Sequence, residues 1–129
     1  MSGDSTLSVV IPAYNARRTI HACLASLLPV LEQPGGEVIL VDSSMDGTEA
    51  HVREQFPRVR LIHLAQRTFA GKARNIGARE AAGDLLAFVD ADCVAAPDWP
   101  DAVRRSFAEH PDQDACVGRI ENHNPRSVV

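Results

Sequence analysis

The sequence predicts an α/β domain with a doubly wound, mostly parallel sheet, and three observations lead to this fold class. Short apolar strands alternate with segments whose apolar residues recur at helical spacing. The strands are apolar throughout, which is typical of a sheet covered on both faces. Polar residues follow directly after three of the strands. With 129 residues, 45% of them apolar, we expect residues 1–129 to form one domain with a substantial core.

The first third of the chain predicts two strands separated by a helix. Residues 7–11 are apolar and β-branched, and Pro12 is expected to stop this first strand. Residues 17–32 carry apolar side chains at helical spacing, and Pro29 should kink that helix or end it early. Residues 37–42 then read as a second buried strand that ends in an acid.

The middle of the chain continues the alternation. Asp46 could cap a helix over about residues 48–55. Residues 59–64 predict a third strand. Residues 70–82 are rich in alanine and predict the next helix, which a glycine ends.

The last third predicts a strand, a helix and a final strand. The fourth strand starts at Leu85 and is expected to run into two acids, Asp90 and Asp92. Residues 97–110 predict a helix, and residues 114–120 predict a short fifth strand. The expected order is therefore β-α-β-α-β-α-β-α-β, with right-handed crossovers.

The pair Asp90 and Asp92 is the strongest single pointer to chemistry. On an extended chain these two side chains point the same way, because successive residues alternate between the faces. Carboxylates about 5 Å apart repel by roughly 3 kcal/mol at an effective dielectric near 20. A cation would remove that repulsion, and oxygen ligands suit Mg²⁺ or Mn²⁺ beside a phosphate. The simpler interpretation is a solvated acid pair in a loop.

The polar residues after the strands predict a shared crevice. In an open α/β sheet, ligands bind beyond the carboxyl ends of the strands, where the strand order reverses. Tyr14 could cover a nucleotide base there, and Asp42 could accept a hydrogen bond from a base N–H. Lys72 and Arg74 add positive potential that could neutralise phosphate. Each residue alone also has an ordinary structural explanation, so the hypothesis depends on their coincidence at one edge.

Several classes of protein are disfavoured. A net charge of −4 argues against a nucleic-acid-binding surface. Gly71-Lys72 lacks the other residues of a P-loop, no G-x-G-x-x-G follows the first strand, and no G-x-S-x-G is present. The five histidines are scattered, which disfavours a zinc site, and the three cysteines predict reduced thiols.

The sequence resembles the donor-binding N-terminal portion of the inverting family-two glycosyltransferases, which have the GT-A fold with a Rossmann-like nucleotide-binding half. Four segments carry the resemblance, which covers roughly residues 7–121: Ser8-Val9-Val10-Ile11-Pro12-Ala13-Tyr14-Asn15, Val38 to Thr48, Gly71 to Asp84, and Phe88-Val89-Asp90-Ala91-Asp92. The turn after Asp42 is one residue shorter than the family's common form, and it lacks the second acid directly after Asp42.

The resemblance implies transfer of a sugar, with inversion, from a nucleotide-diphosphate donor of the UDP, GDP or dTDP type to an acceptor hydroxyl on a glycan, lipid or small molecule. It implies a divalent cation, Mn²⁺ or Mg²⁺, that stabilises the leaving group. Together with the charge argument, it predicts nucleotide binding by Pro12, Ala13, Tyr14, Asp42, Lys72, Arg74 and Asp90, and metal binding by Asp90 and Asp92.

The resemblance also sets expectations for the whole protein. We expect the domain to be truncated at its C-terminus, with the catalytic general base beyond Val129. The start of the chain has no secretory signal, so a cytoplasmic location is expected, with membrane association open for a longer protein. The alternative function is a non-catalytic nucleotide-sugar-binding module. An unrelated doubly wound domain, such as a phosphoacceptor regulator, is the third hypothesis.

Overall fold

The computed structural model describes residues 4–121, which form a four-stranded parallel sheet with helices on both faces. The strands are β1 (Leu7–Ala13), β2 (Glu37–Asp42), β3 (Arg60–His63) and β4 (Leu85–Phe88). Their spatial order is β3-β2-β1-β4, and every neighbouring pair is parallel. The predicted α/β fold class is confirmed.

In the described part of the chain, five helices connect or follow the strands: α1 (Ile20–Ser26), α2 (Leu28–Glu32), α3 (Thr48–Gln55), α4 (Ala70–Glu80) and α5 (Trp99–Glu109). The predicted helix over residues 17–32 is two helices, and Pro29 lies in the first turn of the second. Proline fits that position because the first amide groups of a helix have no partner within it. Within residues 4–121, no helix has the length and apolar character needed to cross a bilayer.

The sheet separates two apolar layers, so the domain is doubly wound. Leu7, Val9 and Ile11 face the larger layer with α1, α2, α3 and α5. Val10 faces the other side with Val41 and α4. Gly77 allows α4 to lie close to the sheet, since a Cβ there would come within 2.3 Å of a Val10 methyl group.

Strand β1 extends through Pro12 to Ala13, two residues beyond the predicted stop. The Ala13 carbonyl accepts a hydrogen bond from the Ser43 amide of the β2 side. Neighbouring residues of a strand direct their backbone groups to opposite sides, so the Pro12 nitrogen points toward β4. Pairing with β4 reaches only Val10, and the amide that proline lacks is therefore not needed.

The prediction of a fifth strand over residues 114–120 is wrong, because the structure has no strand there. Val117 and Ile120 are 94% and 85% exposed. A strand needs a paired neighbour, and nothing in residues 4–121 pairs with this segment. The fourth strand is also shorter than predicted, since it ends at Phe88, before both acids.

Candidate functional site

A cleft lies at the point in the sheet where the order of the strands along the chain reverses. The chain runs from β1 outward to β2 and β3, and then returns to the other side of β1 as β4. An open cleft of about 440 Å³ lies beside the carboxyl end of β1. It is lined by Pro12, Tyr14, Asn15, Ala16, Thr19, Ala70, Arg74, Asp90, Ala91 and Asp92. This is the position at which open α/β sheets bind ligands.

One wall of the cleft is the acid turn after β4, which contains Asp90 and Asp92. The Cys93 amide donates to the Asp90 carbonyl at 3.0 Å, which closes the turn. Both carboxylates are exposed. The expectation that an extended strand brings them to one face is therefore wrong in its geometry, because a turn brings them together.

The acid turn fits a hard divalent cation. Oxygen atoms of Asp90 and Asp92 and the Cys93 sulfur all lie within 4.8 Å of one another. Burial raises the pKa of the Cys93 thiol, and the charges of Asp92 and Asp90 raise it further. The protonated thiol donates to an Asp92 oxygen at 3.7 Å. The donors left for a metal are carboxylate oxygens, which suit Mg²⁺ or Mn²⁺.

The thiol of Cys23 lies behind the acid turn, and it is a structural group. Its sulfur is 3.6 Å from the Asp90 carbonyl oxygen. Burial, followed by the charges of Cys93, Asp92 and Asp90, raises its pKa to about 12. Cys23 is therefore an unreactive packing residue at neutral pH.

Arg74 reaches the acid turn from α4. Its guanidinium lies 2.8 Å from Oδ1 of Asp90, and the two side chains are 37% and 58% exposed. Ion pairs this exposed contribute about 1 kcal/mol or less. A phosphate or a metal ion could therefore replace either partner at little cost.

The second wall of the cleft begins with Tyr14, whose side chain is partly exposed. The Arg67 guanidinium lies over its ring, 4.1 Å from the centroid, and also 4.9 Å from the centroid of the Phe69 ring. This stacking adds a cation and a second aromatic ring beside the cleft. Neither Arg67 nor Phe69 is among the residues predicted from the sequence.

Asp42 lies behind this second wall, and its side chain is fully buried. Its Oδ1 atom accepts hydrogen bonds from the Ser44 amide at 3.2 Å and the Ser44 hydroxyl at 2.5 Å. Its Oδ2 atom lies 2.9 Å from Nδ1 of His63, which is also 3.1 Å from a Glu49 oxygen. These contacts make Asp42 part of the interior, and its base contact stays a prediction.

The structure brings together five of the eight residues predicted for the site. Pro12, Tyr14, Arg74, Asp90 and Asp92 line the cleft. Ala13 is 5% exposed and packs in the larger apolar layer, Asp42 is buried, and Lys72 is exposed on α4 outside the cleft lining. Asn15 and Ala91, which belong to the strand-end segments expected at the crevice but were given no role, also line the cleft, and the prediction missed Ala16, Thr19 and Ala70. Their places in loops and first turns after β1, β3 and β4 are the sequence signal that could have found them.

A parallel sheet with an acid-lined cleft at its switch point defines a ligand-binding α/β domain. The chain matches the description of glycosyl transferase family 2 over residues 8–126, and it belongs to that family.

Two kinds of relatives agree with this assignment. The chain is 38% identical over 95 residues to an uncharacterised glycosyltransferase, YibD, of Escherichia coli K12. The matched region covers 71% of this chain and 27% of YibD. S. aureus TarS 1–349 in complex with UDP-GlcNAc is 28% identical with a TM-score of 0.73, over 82% of this chain and 32% of TarS. The mannosyltransferase PcManGT from Pyrobaculum calidifontis, in complex with GDP-Man and Mn²⁺, is 31% identical with a TM-score of 0.65, over 78% of this chain and 32% of that protein. The chain thus spans about a third of these relatives or less.

Proposed function

We propose that this chain forms the donor-binding part of a glycosyltransferase. The reaction is transfer of a sugar from a nucleotide diphosphate to an acceptor hydroxyl, with inversion and with help from a divalent cation. The observation that carries the proposal is the cleft itself, in which the exposed carboxylates Asp90 and Asp92 face Tyr14 at the switch point of a family 2 domain. Solved relatives that bind UDP-GlcNAc, and GDP-Man with Mn²⁺, support it.

The residues of the cleft divide between the two ends of the donor. Tyr14 supplies a flat ring for the base, and Pro12, which also lines the cleft, borders the base and ribose. Arg74 is close enough to the acid turn to contact a diphosphate, and Lys72 adds positive potential from the first turn of α4.

The acid turn holds the cation in this proposal. Asp90 and Asp92 supply its carboxylate ligands, which lie close enough together to share one ion. Asp90 also contacts the ribose in this proposal. When bound, the cation acts as a Lewis acid that stabilises the charge on the departing nucleoside diphosphate. The cation offsets the repulsion between the two carboxylates and also between them and the anionic diphosphate, so donor and cation favour each other's binding.

The acceptor side of the reaction is assigned to a segment outside these 129 residues. Within the described chain, the acids that line the cleft are Asp90 and Asp92, which the cation uses. We therefore expect little turnover by this chain alone, because the proposal assigns the general base and the acceptor contacts to that other segment. Robust sugar transfer by the isolated chain would contradict this part of the proposal.

The experiment is a nucleotide titration by NMR or calorimetry with UDP, GDP and dTDP, each with and without Mn²⁺. We expect Mn²⁺ to tighten binding by about tenfold or more for at least one nucleotide. Asp92→Asn should abolish this increment and leave the metal-free melting temperature unchanged. Asp112→Asn, an exposed acid that does not line the cleft, is the control and should behave like the parent.

Two results would count against the site. Equal affinity with and without Mn²⁺ would remove the cation from the proposal. A loss of several kcal/mol of metal-free stability in Asp92→Asn would make Asp92 a structural turn residue instead of a ligand. The non-catalytic alternative is decided separately: nucleotide binding without transfer, in a parent protein supplied with its acceptor, would favour a binding module.

A further inference from the structure

We propose that Asp42 serves the nucleotide site as a positioning residue, which shapes the cleft wall through Ser44 and Asn15 without touching the base. The inference rests on the proposed function for its effect on nucleotide affinity. It departs from the role in base binding that the resemblance implies for Asp42.

The Asp42 carboxylate is buried and already hydrogen-bonded on both of its oxygens. Its side chain is fully buried, and three donors occupy its two oxygens: the amide and hydroxyl of Ser44 on Oδ1, and the His63 imidazole on Oδ2. The same Nδ1 atom of His63 also lies 3.1 Å from a Glu49 oxygen, so the two carboxylates share this one ring nitrogen. A buried carboxylate is stable when it is hydrogen-bonded in this way, and a contact with a base would require the arrangement to open.

Ser44 links the Asp42 carboxylate to the loop that follows β1. Its hydroxyl donates to Asp42 at 2.5 Å and accepts from the backbone amide of Asn15 at 2.7 Å. A hydroxyl has one hydrogen to donate, so the bond to Asp42 orients the oxygen lone pairs toward Asn15. The carboxylate therefore sets the direction of a bond that it does not itself make.

Asn15 has a backbone conformation that costs free energy and that neighbouring hydrogen bonds stabilise. Its φ of +48° makes it the only residue other than glycine in the left-handed region within residues 4–121. Asparagine tolerates this region better than most residues, but still at some cost. Its side-chain oxygen accepts from the Met45 amide at 3.0 Å, a second bond to the loop after β2. Asn15 and its neighbour Tyr14 line the cleft, so this conformation sets one wall.

The chain contains a matched control for Ser44. Ser8 is also buried, and its hydroxyl donates to the Glu37 carboxylate at 2.8 Å and accepts from the Gly83 amide at 2.8 Å. It therefore makes the same two types of bond as Ser44. It lies at the amino ends of the strands, at the edge of the sheet opposite the cleft.

The experiment compares Ser44→Ala with Ser8→Ala in the 129-residue chain. Both should lower thermal stability to a similar extent, because each removes one hydrogen-bond donor from a carboxylate and the acceptor of one backbone amide. Amide hydrogen exchange at Asn15, measured by NMR, should accelerate about tenfold or more in Ser44→Ala only. The probe is UDP or GDP, whichever the parent chain binds more tightly. Affinity for it should fall about tenfold in Ser44→Ala and stay unchanged in Ser8→Ala. Unchanged exchange at Asn15, or equal affinity losses in the two variants, would overturn the proposal.

A second comparison separates positioning from direct contact with the base. CDP and ADP carry a ring nitrogen acceptor where UDP and GDP carry a ring N–H, so a carboxylate that contacts this N–H favours the latter pair. Asp42→Asn and Ser44→Ala should each weaken the binding of UDP and CDP by the same factor, and likewise that of GDP and ADP. The UDP/CDP and GDP/ADP ratios of affinity should therefore stay unchanged. A ratio that collapses in Asp42→Asn would show a direct contact and overturn the proposal. If the parent chain binds no nucleotide at all, the proposed function fails. Exchange at Asn15, compared between Asp42→Asn and Ser44→Ala, then still decides whether Asp42 acts on this loop through Ser44.

Discussion

The two walls of the cleft use the same side chain in opposite ways. Asp42 is the last residue of β2, and Asp90 lies two residues after the end of β4, on the other side of β1. Asp42 is fully buried and accepts three hydrogen bonds, whereas the side chain of Asp90 is 58% exposed and has one cationic partner, Arg74. The difference lies in the turns that follow the two strands. After β2, the amide and hydroxyl of Ser44 donate to the Asp42 carboxylate. After β4, the Cys93 amide donates to the backbone carbonyl of Asp90 and leaves its carboxylate free of turn donors.

This comparison shows that an acid at a strand end is not by itself a ligand. The following turn decides whether the carboxylate is used inside the protein or presented to solvent. A wall with internal partners is rigid and shaped before a ligand arrives. A wall with exposed carboxylates repels itself and gains most from a cation.

The largest expected effect comes from placing a carboxylate where no donors exist. Val41 precedes Asp42, is 1% exposed, and packs beside α4. Val41→Asp would bury a charge without partners, and we expect a loss of more than about 4 kcal/mol in unfolding free energy. Circular dichroism with urea titration measures it, and the variant should be largely unfolded.

Leu86→Asp is the control for this prediction. Leu86 lies in β4 and is 44% exposed, so a carboxylate there keeps its water. We expect a loss of about 1 kcal/mol or less. Similar losses in the two variants would mean that any strand charge is disruptive, and that the donors around Asp42 do not explain why that acid is tolerated.

A middle-sized effect contrasts the two walls directly through Asp42→Ala and Asp92→Ala. Removing the buried Asp42 carboxylate leaves the amide and hydroxyl of Ser44 without their acceptor and takes one of two carboxylates from His63, and we expect a loss of about 3 kcal/mol. Removing the exposed Asp92 carboxylate should change stability by about 0.5 kcal/mol or less. Urea unfolding of both variants without metal measures the two losses, and the comparison between the walls fails if they are alike.

The sequence predicted the fold because local patterns determine it. Strand β2 and helix α3 have the predicted bounds, since continuous apolar residues and flanking breakers mark them clearly. Asp46 was predicted as a cap for α3, and its carboxylate does accept from the Thr48 amide at 3.2 Å, although Gly47 occupies the cap position itself. The exposed half of the site was predicted for the same reason, because Asp90-Ala91-Asp92 is a local motif.

The rest depends on contacts between residues far apart in the chain. The burial of Asp42 arises from His63, 21 residues later, and Asn15 meets Ser44 across 29 residues. Neither pairing has a local signature. The fifth strand was predicted from composition alone, and composition does not show whether a partner strand is present.

The smallest effect tests whether donors, rather than exposure, distinguish the acids of the two walls. Asp46 is exposed but accepts from Thr48 and from the Arg17 amide at 3.1 Å. Burial alone would raise the pKa of Asp46, but these hydrogen bonds outweigh it, and the pKa lies below the ordinary value of 3.8. A lowered pKa contributes stability above 3.8 that is lost as the pH falls through the pKa of the folded state. Carbon-13 NMR of the Asp46 carboxyl group should therefore show a midpoint below 3.8, and Thr48→Val, which removes the hydroxyl donor, should raise it. Thr19→Val, whose hydroxyl bonds to a backbone carbonyl, is the control and should leave the midpoint unchanged; an unchanged midpoint in Thr48→Val would mean that the donors around Asp46 do not set its pKa.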